Sequence, residues 1–170
     1  PRIPPPGSSE MFSSGIPADV GNAPFIVSAV SDDEPYVGEQ LMVDYLFFSP
    51  VTGFGMTPEG LNEPAFSDFW FQNMTEARRN GRGSMLGTER VRGRLYEVHL
   101  IRSFLLLPLE SGELLVPAIE LEVSDSDFFR RGGTKILASP TLKLNVRELP
   151  EEGKPAGFRS GNIGRFSVAG

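Results

Sequence analysis

Apolar residues recur at every second position in several stretches of the chain, the pattern of β-strands with one buried face. The first stretch lies at 25–30, after Pro24, and an acidic turn separates it from a second stretch at 41–48. The positions of the second stretch that share one face are Leu41, Val43, Tyr45 and Phe47. The pattern therefore predicts two consecutive strands joined through the turn.

The same pattern continues further along the chain. Strands are predicted at 69–71, 95–107 and 113–123, with a final strand running from Ile136 to Val146 and a long Gly- and Pro-containing connection at 51–65. The residues predicted to share one face are Tyr96, Val98, Leu100 and Arg102 in one strand, and the next strand carries Leu115, Pro117, Ile119, Leu121 and Val123 at its odd positions. No segment keeps a helical period over three turns. The prediction is an all-β, immunoglobulin-like antiparallel β-sandwich.

Segments rich in Pro, Gly and Ser set the predicted domain boundaries. Residues 1–23 contain Pro4-Pro5-Pro6-Gly7 and are interpreted as a disordered leader or linker. The sandwich is expected to span 24–149, followed by a linker at 150–163. Residues 164–170 resemble the first strand of the sandwich, which predicts the first strand of a second, truncated domain.

Charge and composition narrow the function. The net charge of −6 argues against nucleic-acid binding, which selects basic surfaces. With no cysteine and one histidine, the usual zinc and transition-metal sites are excluded, and no cofactor is expected. His99, the one candidate general base, is predicted to face away from Val98 and Leu100 at the surface. No catalytic residue is assigned, and the chain is predicted not to be an enzyme.

Two kinds of charged segment remain as candidate interaction sites. Residues 78–94 hold six arginines against one glutamate, a net +5 that leaves −11 for the rest of the chain, and are predicted to form a mobile hairpin or loop. Arginine pairs with carboxylates and phosphates. Acidic turns could instead offer carboxylates to a partner or hold calcium. The candidate residues are Arg78, Arg79, Arg82, Arg90, Arg92, Arg94, Asp32, Asp33, Glu34, Asp125 and Asp127.

Four segments in order resemble the N-terminal region of the BatD family, a bacterial family linked to oxygen tolerance. They are "APFIVSAVSDDEPYVGEQLMVDYLFF", "FSDFWFQNM", "RLYEVHLIRSFLLLPLESGELLVPAIELEV" and "SPTLKLNVRELPEEGKPAGFRSGNIGRFSV". The resemblance implies tandem immunoglobulin-like domains in a periplasmic or membrane-anchored protein. It also implies von Willebrand A-domain and MoxR-type partners, and it supplies no catalytic residues. Any membrane anchor is expected outside this chain, which contains no apolar run of about 20 residues.

Two binding functions follow as hypotheses. The leading one is a non-enzymatic protein-interaction module of a bacterial envelope complex that offers an acidic loop to a metal-dependent adhesion-type domain. The alternative is a carbohydrate- or cell-wall-binding sandwich that uses Phe69, Trp70 and Phe71. Because a lone tryptophan in a sandwich usually belongs to the core, Trp70 is expected to be buried.

Overall fold

The fold was analysed in a computed structural model. It describes residues 11–19, 21, 23–51, 56–81, 83–125 and 134–150, with the backbone alone at 12, 56–61 and 125. Three predicted segments therefore lie outside the described residues: the first ten residues of the leader, the linker beyond Pro150, and the strand at 164–170.

The regular secondary structure of the described chain is almost entirely β-strand. In chain order these are β1 (Phe12–Ser14), β2 (Phe25–Val30), β3 (Leu41–Pro50), β4 (Met56–Leu61), β5 (Phe69–Asn73), β6 (Met85–Val91), β7 (Arg94–Pro108), β8 (Gly112–Val116), β9 (Glu120–Asp125), β10 (Thr134–Ala138) and β11 (Leu142–Val146). One short helix, α1 (Thr75–Arg79), lies between β5 and β6.

The central sheet has six antiparallel strands in the order β1-β2-β3-β7-β5, with β6 also paired to β7. The long strand β7 makes this arrangement possible. Its first half pairs with β6 through Val98 and Tyr96, and its second half pairs with β5 through Leu106 and Pro108. The predicted connection at 51–65 contains β4, and the predicted hairpin or loop at 78–94 contains the end of α1 and strand β6. Strand β6 forms a hairpin with β7, one of the two predicted alternatives.

The second layer is a long hairpin that two prolines divide. Strand β9 pairs with β10 on one side and with β4 on the other, while β8 pairs with β11. The predicted single strands at 113–123 and 136–146 are each interrupted, by Pro117 and by Pro140, which have no backbone N–H to donate to the ladder. Ser139 spans the break, because its backbone N–H donates to Ile119 O and its Oγ accepts from Ile119 N.

The break also changes which side chains face inward. In β8 the buried residues are Leu114 and Val116, whereas Leu115 is exposed, so the predicted odd-numbered positions share the buried face only from Ile119 onward. Ile136, predicted in the core strand, is 69% exposed on the edge strand β10. Side chains alternate between the two faces only along an uninterrupted strand. The break at Pro117 therefore changes which positions face inward.

The main hydrophobic core fills the space between the two layers. The predicted face of β3 lies in it, including Tyr45 and Phe47, together with Leu114 of β8, Leu121 of β9 and Leu144 of β11. The Tyr45 hydroxyl donates a hydrogen bond of 2.6 Å to Pro117 O and so ties the central sheet to the break in the second layer. The prediction of an all-β antiparallel sandwich is confirmed.

A second hydrophobic core covers the outer face of the central sheet. Its buried members include Phe25 and Phe48, whose rings are stacked at 4.8 Å, together with Tyr96, Leu100 and Met11. As a result every residue of β3 is buried. The central sheet therefore has a core on each side.

The end of the predicted leader belongs to this outer core. Strand β1 pairs with β2, Met11 is buried, and Gly21 O accepts a hydrogen bond from the Tyr96 hydroxyl. At Gly15, which has φ +112°, an added Cβ would lie 2.7 Å from Ile26 O. The prediction of a leader through residue 23 is wrong from Met11 onward, because β1 extends the central sheet and Met11 and Gly21 contact the outer core.

A β-bulge lets β7 serve both cores. Tyr45 pairs with Arg102 and Leu46 with Leu100, so Ile101 is an extra residue opposite β3. Beyond it the alternation reverses, and Phe104 and Leu106 face the inner core whereas Tyr96, Val98 and Leu100 face the outer one. The prediction that Arg102 shares a face with Leu100 is wrong. Its guanidinium instead pairs with Glu63 at 3.2 Å.

Tyr45 is expected to make folding sensitive to alkaline pH. Burial raises the pKa of its hydroxyl, so the folded protein retains a proton that the unfolded chain releases above about pH 10. The resulting stabilisation is complete below that pH and is lost as the pH rises toward the higher folded pKa. Tyr45→Phe should remove this part of the alkaline loss, and should cost about 1 kcal/mol at neutral pH through the bond to Pro117 O.

The measurement is the free energy of unfolding in urea at pH 7 and at pH 10–11. If Tyr45→Phe and the unsubstituted protein lose the same stability between these pH values, the buried hydroxyl does not control the alkaline response.

Candidate interaction surfaces

Two of the six candidate arginines belong to the outer core. Arg78, on α1, forms an ion pair of 2.6 Å with Asp44 of β3, and the side chains are 9% and 0% exposed. Asp44 also accepts a hydrogen bond from the Ser103 hydroxyl, and Ser103 N donates to Thr75 Oγ1. A buried carboxylate needs such partners because its desolvation is costly. Arg78 is therefore a structural residue and is not available to a partner.

Arg79 fastens α1 to the β-bulge. Its guanidinium donates to Leu100 O at 2.9 Å and to Ile101 O at 3.2 Å. Because the bulge interrupts the hydrogen bonds of the sheet at these residues, the arginine supplies hydrogen-bond donors to their carbonyl groups. The two arginines of α1 thus hold one helix across the outer face of the central sheet. The prediction that they form part of a mobile loop is wrong.

The other described arginines lie at the tip of the β6–β7 hairpin. Arg90, Arg92 and Arg94 are exposed there. Arg90 donates to Gly93 O at 2.9 Å, and Arg92 donates to Ala18 O of the N-terminal segment. Arg82 lies outside the described residues. The structure thus divides the predicted basic segment into an internal pair and an exposed tip.

The acidic turn at 32–34 is held firmly against β11. Asp32 Oδ1 accepts from Glu34 N at 2.9 Å, and Asp33 O accepts from Asn145 N at 2.9 Å. Arg147 donates from Nε to Glu34 O at 2.8 Å and from its backbone N–H to Pro35 O at 2.8 Å. Its guanidinium also lies 4.4 Å from the centre of the Tyr36 ring. This turn is fixed from several directions, and the Glu34 side chain is exposed.

The second acidic segment, which contains Asp125 and Asp127, is described only in part. Of Asp125 only the backbone is described, at the end of β9, and Asp127 lies outside the described residues. Within the described ranges, no three His, Asp or Glu side chains are grouped so that they could hold a metal ion. Calcium binding at the acidic turns therefore stays a hypothesis, and the described residues do not form a set of ligands for it.

The aromatic residues of β5 do not form one surface. Phe69 is buried in the inner core, but Trp70 is 50% and Phe71 is 47% exposed. Neighbouring residues of a strand point to opposite faces, and Phe71 faces the inner-core side, with its ring 5.2 Å from that of Phe66. The expectation of a buried Trp70 is wrong, because β5 is an edge strand of the central sheet. Periodicity alone does not reveal a sheet edge.

A hydroxyl, an imidazole and a carboxylate lie in a row beside the β6–β7 pair. Ser84 Oγ is 3.3 Å from His99 Nδ1, and His99 Nε2 is 3.6 Å from Glu97 Oε2. The second distance exceeds a hydrogen bond, so the carboxylate does not orient the imidazole as a catalytic triad requires. His99 faces away from the buried Val98 and Leu100, as predicted. The absence of enzymatic activity stays a prediction.

Comparison with known proteins gives this chain no relative. No protein-family model, no curated protein and no solved structure matches it. No helix within the described ranges is both long and apolar enough to cross a membrane. The resemblance to the BatD family therefore stays a prediction from the sequence.

Removing Arg78 should be far more damaging than removing an exposed arginine. Arg78→Met leaves the Asp44 carboxylate buried without its cation, and we expect a loss of about 3–5 kcal/mol in the free energy of unfolding. The matched control, Arg92→Met at the hairpin tip, should change it by less than about 1 kcal/mol. Both values come from urea unfolding followed by circular dichroism.

A double variant separates the ion pair from the packing of the arginine stem. Asp44→Asn with Arg78→Met keeps an acceptor for Ser103 and removes both charges, so it should be more stable than Arg78→Met alone. A double variant less stable than the single one would show that the ion pair is not the reason for the loss.

Proposed function

We propose that this chain is a non-enzymatic protein-interaction module that offers the carboxylate of Glu34 to a metal-dependent adhesion-type domain. The observation that carries the proposal is the fixed acidic turn. Three hydrogen bonds, one from Asn145 of β11 and two from Arg147 just beyond it, hold the backbone of residues 33–35, and the Glu34 side chain is exposed to solvent. A pre-formed loop loses little conformational entropy on binding.

The chemistry of the partner follows from the carboxylate. Mg²⁺ prefers oxygen ligands and often keeps open or water-filled positions, which a carboxylate from another protein can occupy. Asp32 Oδ1 is engaged within the turn, and Asp33 is only half-exposed. Glu34 is therefore the side chain in this turn that is best placed to reach a metal on a partner.

The biological setting is proposed from the resemblance. A BatD-like module would act in a bacterial envelope complex associated with oxygen tolerance, periplasmic or membrane-anchored, with von Willebrand A-domain and MoxR-type partners. A binding module without a catalytic group suits such a scaffold. The acidic turn gives the A-domain partner a specific contact on this chain.

Carbohydrate or cell-wall binding is the second candidate, and the exposure of Trp70 favours it. An exposed indole can stack on a sugar ring, and Gln72, two residues along the same face, is also exposed. Because Phe69 is buried and Phe71 faces the opposite side, one ring would have to carry the stacking contact. That is a smaller surface than the three-residue platform expected from the sequence.

Glu34→Gln should abolish the magnesium-dependent part of binding to an A-domain protein. The substitution keeps the size of the side chain and removes its charge, so we expect at least about a tenfold loss of affinity, the equivalent of about 1.4 kcal/mol. Surface plasmon resonance with Mg²⁺ or with EDTA measures the effect. Glu122→Gln, an exposed carboxylate on β9, is the matched control and should bind as the unsubstituted protein does.

Unchanged binding of Glu34→Gln, or binding that ignores EDTA, would contradict the proposed contact. For the second candidate, the fluorescence of Trp70 is followed during titration with peptidoglycan fragments. Sugar binding is supported if the fluorescence change saturates and if Trp70→Phe abolishes the heat of binding in isothermal calorimetry. A titration without a fluorescence change rejects it.

A further inference from the structure

An exposed apolar strip runs along the outer face of the central sheet at its β5 edge. It consists of the exposed Trp70 on β5, the half-buried Leu107 on β7, and the exposed Leu109 just beyond β7. Trp70 and Leu107 are direct cross-strand partners, and Leu109 N donates to Asp68 O at 3.0 Å, which continues the pairing by two residues. Leu109 is 61% exposed and Trp70 is 50% exposed. We call these three residues the β5 strip.

The rim of the β5 strip is acidic. Asp68 precedes the tryptophan by two residues, and Glu110 follows Leu109. Glu148 lies close by, because its Oε1 accepts a hydrogen bond of 3.2 Å from the hydroxyl of Ser111. A ligand that covers this strip should therefore combine apolar side chains with positive charge.

The described chain leaves the sandwich beside the same strip. From Glu148 the path crosses to Ser111, then to Leu109, and then through its partner Asp68 to Trp70. With strands about 5 Å apart and about 3.3 Å per residue along a strand, this path is roughly 20 Å long. An extended chain covers that distance in about six residues. The residues that follow Pro150 are thus within reach of the whole strip.

The composition of those residues matches the strip. After Glu151 and Glu152, which directly follow Pro150, residues 153–170 carry Lys154, Arg159 and Arg165 and no acidic residue. Their large apolar side chains are Phe158, Ile163, Phe166 and Val168. A basic and aromatic segment therefore leaves the domain next to an acidic and apolar surface, with enough length to cover it.

We propose that the β5 strip is the docking surface for residues 153–170 of the same chain. Aromatic side chains of this C-terminal segment pack on Trp70 and Leu109, and its arginines pair with the carboxylates of the rim. The contact fixes the direction in which the chain continues from the sandwich. The contact uses none of the residues of the acidic turn at 32–34, so it does not depend on the proposed function.

The sequence itself supplies the probe. Trp70 is the single tryptophan of the chain, and there is no cysteine, so its fluorescence reports on the strip alone. In the full chain we expect Trp70 to be shielded from acrylamide. Replacing Phe158 and Phe166 together by serine should increase the quenching constant about twofold and shift the emission to longer wavelength, because a half-exposed indole then contacts water.

Matched variants test the charge and control for general effects. Arg159→Glu with Arg165→Glu should increase the quenching as the serine variant does, whereas Arg90→Glu with Arg94→Glu on the hairpin should leave it unchanged. Circular dichroism checks that every variant keeps its strands. Equal quenching in the unsubstituted chain and in both tail variants would overturn the proposal.

A distance measurement identifies the occupant. A cysteine placed at Ser167 and labelled with a fluorescence acceptor should show strong energy transfer from Trp70 at all protein concentrations. Weak transfer overturns the proposal. Transfer and shielding that disappear on dilution also overturn it, because they assign the strip to a second copy of the chain. Shielding that appears only with added peptidoglycan fragments assigns it to a sugar.

Discussion

The buried carboxylate of Asp44 is the constraint on which the rest of this fold depends. It lies on the central strand β3, which has a hydrophobic core on each face, and it is fully buried. Such a group needs a cation and hydrogen-bond donors inside the protein. Arg78 and Ser103 provide them, so α1 must lie across the outer face of the sheet.

This requirement organises the outer layer. Once Arg78 fixes α1, the neighbouring Arg79 reaches the carbonyl groups of the β-bulge, where β7 switches from the outer to the inner core. The N-terminal segment covers more of the same face through Met11 and Gly21. The middle of the sheet is therefore closed on both sides, which leaves the edges and turns as the surfaces for binding.

Those surfaces differ in chemistry. The turn at 32–34 is a rigid acidic projection, the β6–β7 tip is basic, and the β5 strip is apolar with an acidic rim. Each is held by a strand pair or by backbone hydrogen bonds from β11. A scaffold with separate surfaces of this kind suits a module that contacts a partner at one place and its own chain at another.

Local patterns in the sequence predicted much of this architecture. Alternation identified the buried face of β3 and the all-β class, and the acidic turn was recognised from Asp32-Asp33-Glu34-Pro35. The run Leu41–Phe48, apolar at almost every position, also carried a sign of burial on both faces. Its one charged residue, Asp44, was the signal that an internal partner such as Arg78 had to exist.

Other features depend on contacts that a local pattern does not contain. Ile101 shifts the alternation by one residue, and Pro117 divides a strand without changing its hydrophobic character. The exposure of Trp70 follows from the position of β5 at the sheet edge, which only the strand order determines. Arg78 and Arg90 are alike in the sequence, yet one is buried against Asp44 and the other is exposed at a hairpin tip.

We propose that the pre-formed acidic turn at 32–34 makes the contact with a metal-bearing partner. Amide hydrogen exchange of this protein, alone and with a magnesium-loaded A-domain protein, tests it most directly. We expect slow exchange already in the free protein at Val37, Asn145 and Arg147, whose amides bond across this turn, and added protection on binding confined to residues 31–39. Binding-induced protection at the β6–β7 tip or at β5, with residues 31–39 unchanged, would contradict it.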